Sequence, residues 1–283
     1  GDGPDGGNLR VYYIATNSNN GLLEMTPGNL SFDVGAALNN GASPPWDSFS
    51  PNDDNFAPQL GTTNKIYMGD ARIQNCVYRN NSLWVAQTVF LPAGGSNTHC
   101  AVQWWELTSG GVADDGTLSG GTVIQRGLIE DPTGVRFYAY PSIAVSRGLD
   151  VLVGYSTFAA NQFPSANYSF HVGWLDPSSS MRADTVLKSG EAKYFVDDFG
   201  YNYWGDWSAT VVDPNSDTDI WTLQEYASTP VAGSDRWGTW WGRVSPPADL
   251  SVTMTGTPNP VVAGSNVSYA ITINTINSRI QTV

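Results

Sequence analysis

Charge is scarce in this chain. Only 14% of its 283 residues are Asp, Glu, Lys or Arg, against roughly 25% in an ordinary soluble domain. Cations are scarcer still: 13 Lys and Arg stand against 26 Asp and Glu, a net charge of −13. No basic stripe runs along the sequence, which argues against nucleic acid or an anionic membrane as a partner. The acidic surface is a solubility feature first and an attraction for cations second. Histidine is limited to His99 and His171, neither in a Gly-x-Ser-x-Gly context. A Ser-His-Asp triad needs no sequence adjacency and stays open. Cysteine is limited to Cys76 and Cys100. With no CxxC and no Cys/His cluster, zinc has no ligand set. No apolar run reaches membrane-spanning length, and no leader-like segment opens the chain. The opening GDGPDGGN reads as a start left by processing or as an artificial boundary. Helical periodicity is nearly absent.

What is abundant is turn-formers and aromatics: 30 Gly, 17 Pro, 11 Trp, 13 Tyr and 10 Phe, with 41% of residues hydrophobic. Short apolar or alternating runs recur between Gly, Pro, Asn, Asp and Ser clusters, and they predict strands. The candidate strands cover 9–15, 30–34, 73–79, 83–90, 101–107, 122–125, 142–145, 151–157, 170–175, 185–187, 208–212, 220–226 and 239–244. Many short strands separated by turns imply an all-β sandwich, barrel or propeller.

Internal repeats decide among these. One unit joins 70–77, 83–88 and 101–107; the next joins 140–145, 151–156 and 170–175; the third joins 206–212, 220–225 and 239–244. On this alignment Trp105, Trp174 and Trp241 correspond, 69 and 67 residues apart. A fourth strand ending in Gly follows the first two units at 122–127 and 185–190, and 30–35 looks like another copy. Four antiparallel strands per repeated unit make a β-propeller blade, with large aromatics filling the wedge between blades. Three good blades and the late strands of an earlier one are visible. That count is short of the usual number, so either the N-terminal part diverges or the chain is a piece of a longer protein. The propeller is assigned to residues 1–245, and residues 246–283 to a partial immunoglobulin-like β segment beyond the Pro246-Pro247 linker.

Two resemblances follow. The runs 57–61, 69–79, Trp204-Gly-Asp-Trp-Ser-Ala-Thr-Val-Val-Asp-Pro and Ile220-Trp-Thr-Leu-Gln-Glu-Tyr, with Trp237-Gly-Thr-Trp, resemble a group of bacterial secreted proteins, the sialidase-like or BNR-like propellers. The likeness covers roughly residues 8–245 and implies the fold and secretion; the group has no agreed activity. The tail, from Ala248-Asp-Leu-Ser-Val-Thr-Met to Ala270-Ile-Thr-Ile, resembles the opening of the immunoglobulin-like repeats of bacterial surface proteins. A sandwich needs about seven strands and the tail offers two or three. Their unpaired edges are satisfied either by the rest of a longer protein or by strand addition to another copy.

Chemistry has several candidate seats. Asp70 and Asp206 precede the innermost strands of their blades and read as an acid/base pair, as holders of a cation, or as turn carboxylates tying down their own loops. Trp204, Trp207 and Tyr203, in the aromatic-dense run 199–207, read as sugar platforms if exposed and as inter-blade packing if buried. Asp213, Asn215, Asp217 and Asp219 alternate like a calcium loop, but without its Gly or its bidentate Glu, in a place where a hairpin is expected. Arg72, Arg79, Arg126, Arg136 and Arg147 do not fall at equivalent inner-strand starts, and the Asp-box near Ser216–Trp221 lacks its Gly, so the sialidase signature is weak. Cys76 and Cys100 read as a disulfide or as two buried free thiols. Asn29, Asn80, Asn167 and Asn266 are glycosylation acceptors only in a glycosylating host.

These readings lead to an extracellular or cell-surface propeller with a non-enzymatic binding or structural role. It assembles with itself, as in a filament, through its C-terminal strands. Glycan is the alternative partner, calcium the one cofactor the residues suggest, and a sialidase-like glycoside hydrolase the alternative activity.

Overall fold

The computed structural model describes residues 8–16, 23–33, 46–108, 111–112, 118–119, 122–205, 208–247 and 250–275. These are almost wholly strand and turn: the one helical segment among them is a 3-10 turn, Pro51–Asp53, and no helix is long and apolar enough to cross a membrane. The chain divides into two compact units, Gly1–Val244 and Ser245–Val283.

The first unit opens with an antiparallel pair, β1 (Asn8–Thr16) and β2 (Leu23–Asp33), in which Val11 faces Leu30. The first four-stranded sheet has the order β3 (Ile73–Arg79), β4 (Ser82–Leu91), β5 (His99–Thr108), β8 (Val123–Ile129). The short pair β6 (Gly111–Val112) and β7 (Leu118–Ser119) is inserted before β8. The second has the order β9 (Phe137–Val145), β10 (Val151–Ala159), β11 (Gln162–His171), β12 (Thr185–Lys188). A small hairpin, β13 (Asp197–Asp198) and β14 (Tyr201–Asn202), leads to a three-stranded sheet, β15 (Ala209–Val212), β16 (Ile220–Val231), β17 (Ser234–Val244). All pairings are antiparallel and each large sheet is an up-and-down meander.

The sheets stack through their first strands. β9 packs on β3, β4 and β5, and β15 packs on β9 and β10. Between the first two sheets lies an apolar layer of Trp84, Trp104, Tyr138, Ile143, Val153 and Tyr155, with Trp84 and Trp104 stacked at 6.2 Å. Between the second and third sheets the layer is partly polar. Ser142, Thr210, Thr222 and Gln224 form a buried hydrogen-bonded chain at 2.7–2.9 Å. It lies beside Ala144, Leu152, Phe170 and Ile220. The first hairpin turns of the three sheets also meet. Asn80 Nδ2 donates to the Ser146 carbonyl, Arg147 N–H to the Asp217 carbonyl, and the Arg79 guanidinium pairs with the Asp217 carboxylate.

One repeat alignment is corrected. The third strand of the second sheet is β11, Gln162–His171, not 170–175. Trp174 lies in the turn beyond it, half exposed, and so does not correspond to Trp105 or Trp241. Pro164 sits where the β10–β11 register slips, a bulge that tolerates the missing N–H.

In the second unit β18 (Leu250–Thr257) pairs with β19 (Ser268–Thr275). Directly opposed residues share a face. Val252 faces Ile273, Met254 faces Ile271, and Gly256 faces Tyr269, whereas Thr253 faces Thr272 and Thr255 faces Ala270. The ribbon is therefore apolar on one side and mostly hydroxyl-bearing on the other. Val252, Met254, Tyr269, Ile271 and Ile273 are 63–65% exposed.

Candidate functional site

The aromatic-dense run after β12 builds a cleft of about 380 Å³, lined by Tyr194, Val196, Asp197, Asp198, Tyr203 and Trp237 with Trp204 and Gly205 at its base. Its rim is the β13–β14 hairpin. Asp197 pairs with Asn202 and Asp198 with Tyr201, leaving Phe199 and Gly200 as a two-residue loop with φ of +51° and +91°. Positive φ at both positions is the twist-matched turn for a tight hairpin, normally filled by Asn-Gly. A phenylalanine there is strained, and this one is 95% exposed. The hairpin is fixed from behind by Asn202, which donates to the Lys65 and Tyr194 carbonyls and accepts from the Val196 N–H. Tyr67, Tyr201 and Tyr203 cluster beside it, ring centres 4.6–6.4 Å apart. The Tyr67 hydroxyl donates to Asp53, and partial burial together with that carboxylate pushes its pKa up.

Trp204 is not an exposed platform. Its indole is 1% exposed, packed edge-on against Tyr194 and Phe158 at 4.9 and 5.5 Å, and its Nε1 donates to Ser156 Oγ at 3.1 Å. It is the floor of the cleft. The wall belongs to Tyr203, 36% exposed, and to Trp237, 53% exposed. Trp237 was not singled out as a ligand platform: it lies 30 residues beyond Trp207 in sequence, and the pairing Ala227↔Trp237 brings it alongside. Burial, with the nearby Glu225 and Asp235 carboxylates, pushes the Tyr194 pKa up. Aromatic faces for stacking and the exposed Asp197 and Asp198 carboxylates for hydrogen bonds are the groups this cleft offers a ligand.

The other candidates are dispersed. Asp70 is tied to its own loop: its carboxylate accepts the Arg72 backbone N–H at 2.9 Å and the Arg72 Nε at 2.7 and 2.8 Å. Asp206 and Trp207 lie outside the described residues. The three carboxylates of the acidic loop at 213–219 are each engaged by a neighbouring donor. Asp213 accepts from Trp221 Nε1 at 2.9 Å and from the Asn215 and Ser216 N–H groups, which hold its carboxyl below the usual range. Asp217 pairs with Arg79 and Asp219 with Arg243; Asn215 is exposed. Among the described residues no three acidic, His or Cys side chains converge on one point.

The disulfide is corrected: both cysteines are free, Cys76 exposed and Cys100 buried. Cys76 lies on β3 opposite Val85, and Cys100 on β5 opposite Phe90, with β4 between them. Two inter-strand steps span roughly 9.5 Å, beyond the disulfide reach of about 4.4–6.8 Å. The five-residue offset along β4 also turns the two thiols to opposite faces. His99 is buried between Thr98 Oγ1 at 3.1 Å and Glu130 at 2.9 Å, away from the aromatic cleft.

No protein-family model, curated protein or solved structure matches the chain.

Proposed function

We propose that the chain is an extracellular or cell-surface propeller-type module with a non-enzymatic, structural role, and that it assembles with further copies through its C-terminal ribbon. The observation that carries this is the β18–β19 ribbon, with Val252, Met254, Tyr269, Ile271 and Ile273 on one open face. A two-stranded hairpin is marginal in water by itself, and a third strand or a covered face supplies the missing burial. Among the described residues no third strand pairs with it, and strand addition from another copy would satisfy edge and face together. The propeller reading draws support from the meander order of the sheets, the stacking of β3, β9 and β15, and the meeting of their first turns.

Size-exclusion chromatography with light scattering tests the assembly. The native chain runs as an oligomer, and Met254→Asp/Ile271→Asp runs as a monomer. A native monomer at micromolar concentration, or an oligomer indifferent to both charges, refutes it.

A second reading is favoured by the cleft lined by Tyr203 and Trp237: glycan binding by stacking on their exposed rings, with Phe199 exposed on the hairpin at its rim. A glycan panel tests it, with Trp237→Ala expected to lose whatever the native chain retains. Hydrolysis of a panel member would move the reading to a glycosidase with Asp197 or Asp198 as its acid.

A further inference from the structure

In a chain with twice as many acids as bases, most buried or half-buried cations have a carboxylate. Arg79 pairs with Asp217, and Lys188 with Glu191. The more exposed Arg136, Arg182 and Arg243 also reach Asp184, Asp176 and Asp219. Arg126 is the half-buried exception among the described residues: no carboxylate lies within 4.0 Å of its guanidinium. Instead it stacks on Trp105, 5.5 Å from the ring centre. Trp105 sits opposite Arg126 across the β5–β8 ladder and is 1% exposed, so the guanidinium is backed by a buried ring.

This arginine lines a second cleft, of about 350 Å³, on the face of the first sheet turned away from the second. Trp46, Leu91 and Leu128 supply apolar wall, and Gln103 and Ser179 supply polar atoms. Ser179 is positioned by its own N–H, which donates to Gln125 Oε1, and its Oγ lies 3.4 Å from the Arg126 N–H. The volume is that of a small-ligand site. Burial lowers the Arg126 pKa, as expected of a cation that has lost water without gaining an anion.

We propose that this cleft binds a carboxylate, carried on a small body with an apolar face, through the guanidinium of Arg126. The planar fork takes a carboxylate in two parallel hydrogen bonds. Trp105 backs the fork and Trp46 covers the ligand's body. Two sources carry this chemistry, an acidic sugar and a peptide C-terminus. The site is separate from the aromatic cleft and from the ribbon, and stands or falls independently of both.

Calorimetry and quenching of tryptophan emission on the full chain test it with two pairs of probes: glucuronate oligosaccharide against its methyl ester, and N-acetyl-leucine against N-acetyl-leucinamide. One acid saturates the protein and its neutral partner binds about tenfold more weakly or worse; which acid does so identifies the source. Arg126→Gln loses at least about tenfold for that acid, and Arg126→Lys, keeping the charge without the fork, falls between. The acid/neutral comparison uses the unaltered chain, so misfolding of a variant does not blur the result. Absence of saturation by either acid up to roughly 10 mM, equal binding of acid and neutral probe, or an unaffected Arg126→Gln overturns the proposal.

Discussion

Two residues of one loop run have opposite fates. Trp204 fills space between Tyr194 and Phe158 and donates to a buried Ser156. Trp204→Ala leaves a cavity and an orphaned hydroxyl, and is expected to cost about 3–5 kcal/mol in urea unfolding. Phe199 buries almost nothing and holds a left-handed conformation. Phe199→Asn relieves that strain and is expected to raise stability by about 1 kcal/mol, read as a shift of the urea midpoint at unchanged slope. A residue that weakens its own hairpin and presents a naked ring to solvent fits a ligand-contact position. The same variant should therefore weaken any glycan that the cleft binds. A stabilised variant with undiminished glycan binding would leave the ring without that role.

At the scale of strands, much of the fold was legible where apolar runs were bounded by turns. The segment 73–79 coincides with β3, and 83–90, 101–107 and 151–157 lie within β4, β5 and β10. The failure at β11 has a physical cause. Its buried side includes Ser165, Asn167 and Ser169, satisfied by hydrogen bonds such as Thr157 to Asn167, Asn167 to Asp184 and Tyr155 with Ser169. A sequence reading takes such a polar stretch with a proline for a loop, because its partners come from other strands. The aromatic cleft was legible as composition only. Which rings face water depends on the cross-strand pairing that brings in Trp237, and nothing local encodes it. The polar layer between the second and third sheets makes its own prediction. A Cβ on Gly154 would stand 2.1 Å from Gln224 Nε2 and 2.4 Å from Thr222 Oγ1, and Gln224 is held by Ser142 and Thr222 in a buried position. Gly154→Ala is expected to destabilise by about 1–3 kcal/mol. Thr222→Ala in the same chain should recover part of that loss, giving a non-additive cycle in denaturant unfolding.

At the scale of the molecule, the three large sheets differ in how they are covered. Every residue of β9 and β10 is buried, because the second sheet has a neighbour on both faces. The third sheet packs one face on the second and leaves Val211, Leu223 and Trp241 on the other, 56%, 38% and 65% exposed. The described side chains of the ribbon are largely exposed. β10 and the Ile220–Leu223 part of β16 make a fair comparison, since each is paired on both edges and they differ in face coverage. Local opening free energy rises with the apolar burial that opening undoes. Native-state hydrogen exchange is therefore expected to rank the amides of β10 slowest, those of Ile220–Leu223 in β16 faster, and those of β18 and β19 fastest. The ranking at low protein concentration isolates the single chain. If the amides of β16 slow toward those of β10 as concentration rises while the ribbon stays fast, then copies meet through the open face of the third sheet and the assembly proposed for the ribbon is wrong. If β18 and β19 slow instead and β16 does not, the contact lies at the ribbon, and the open face of the third sheet plays no part in it.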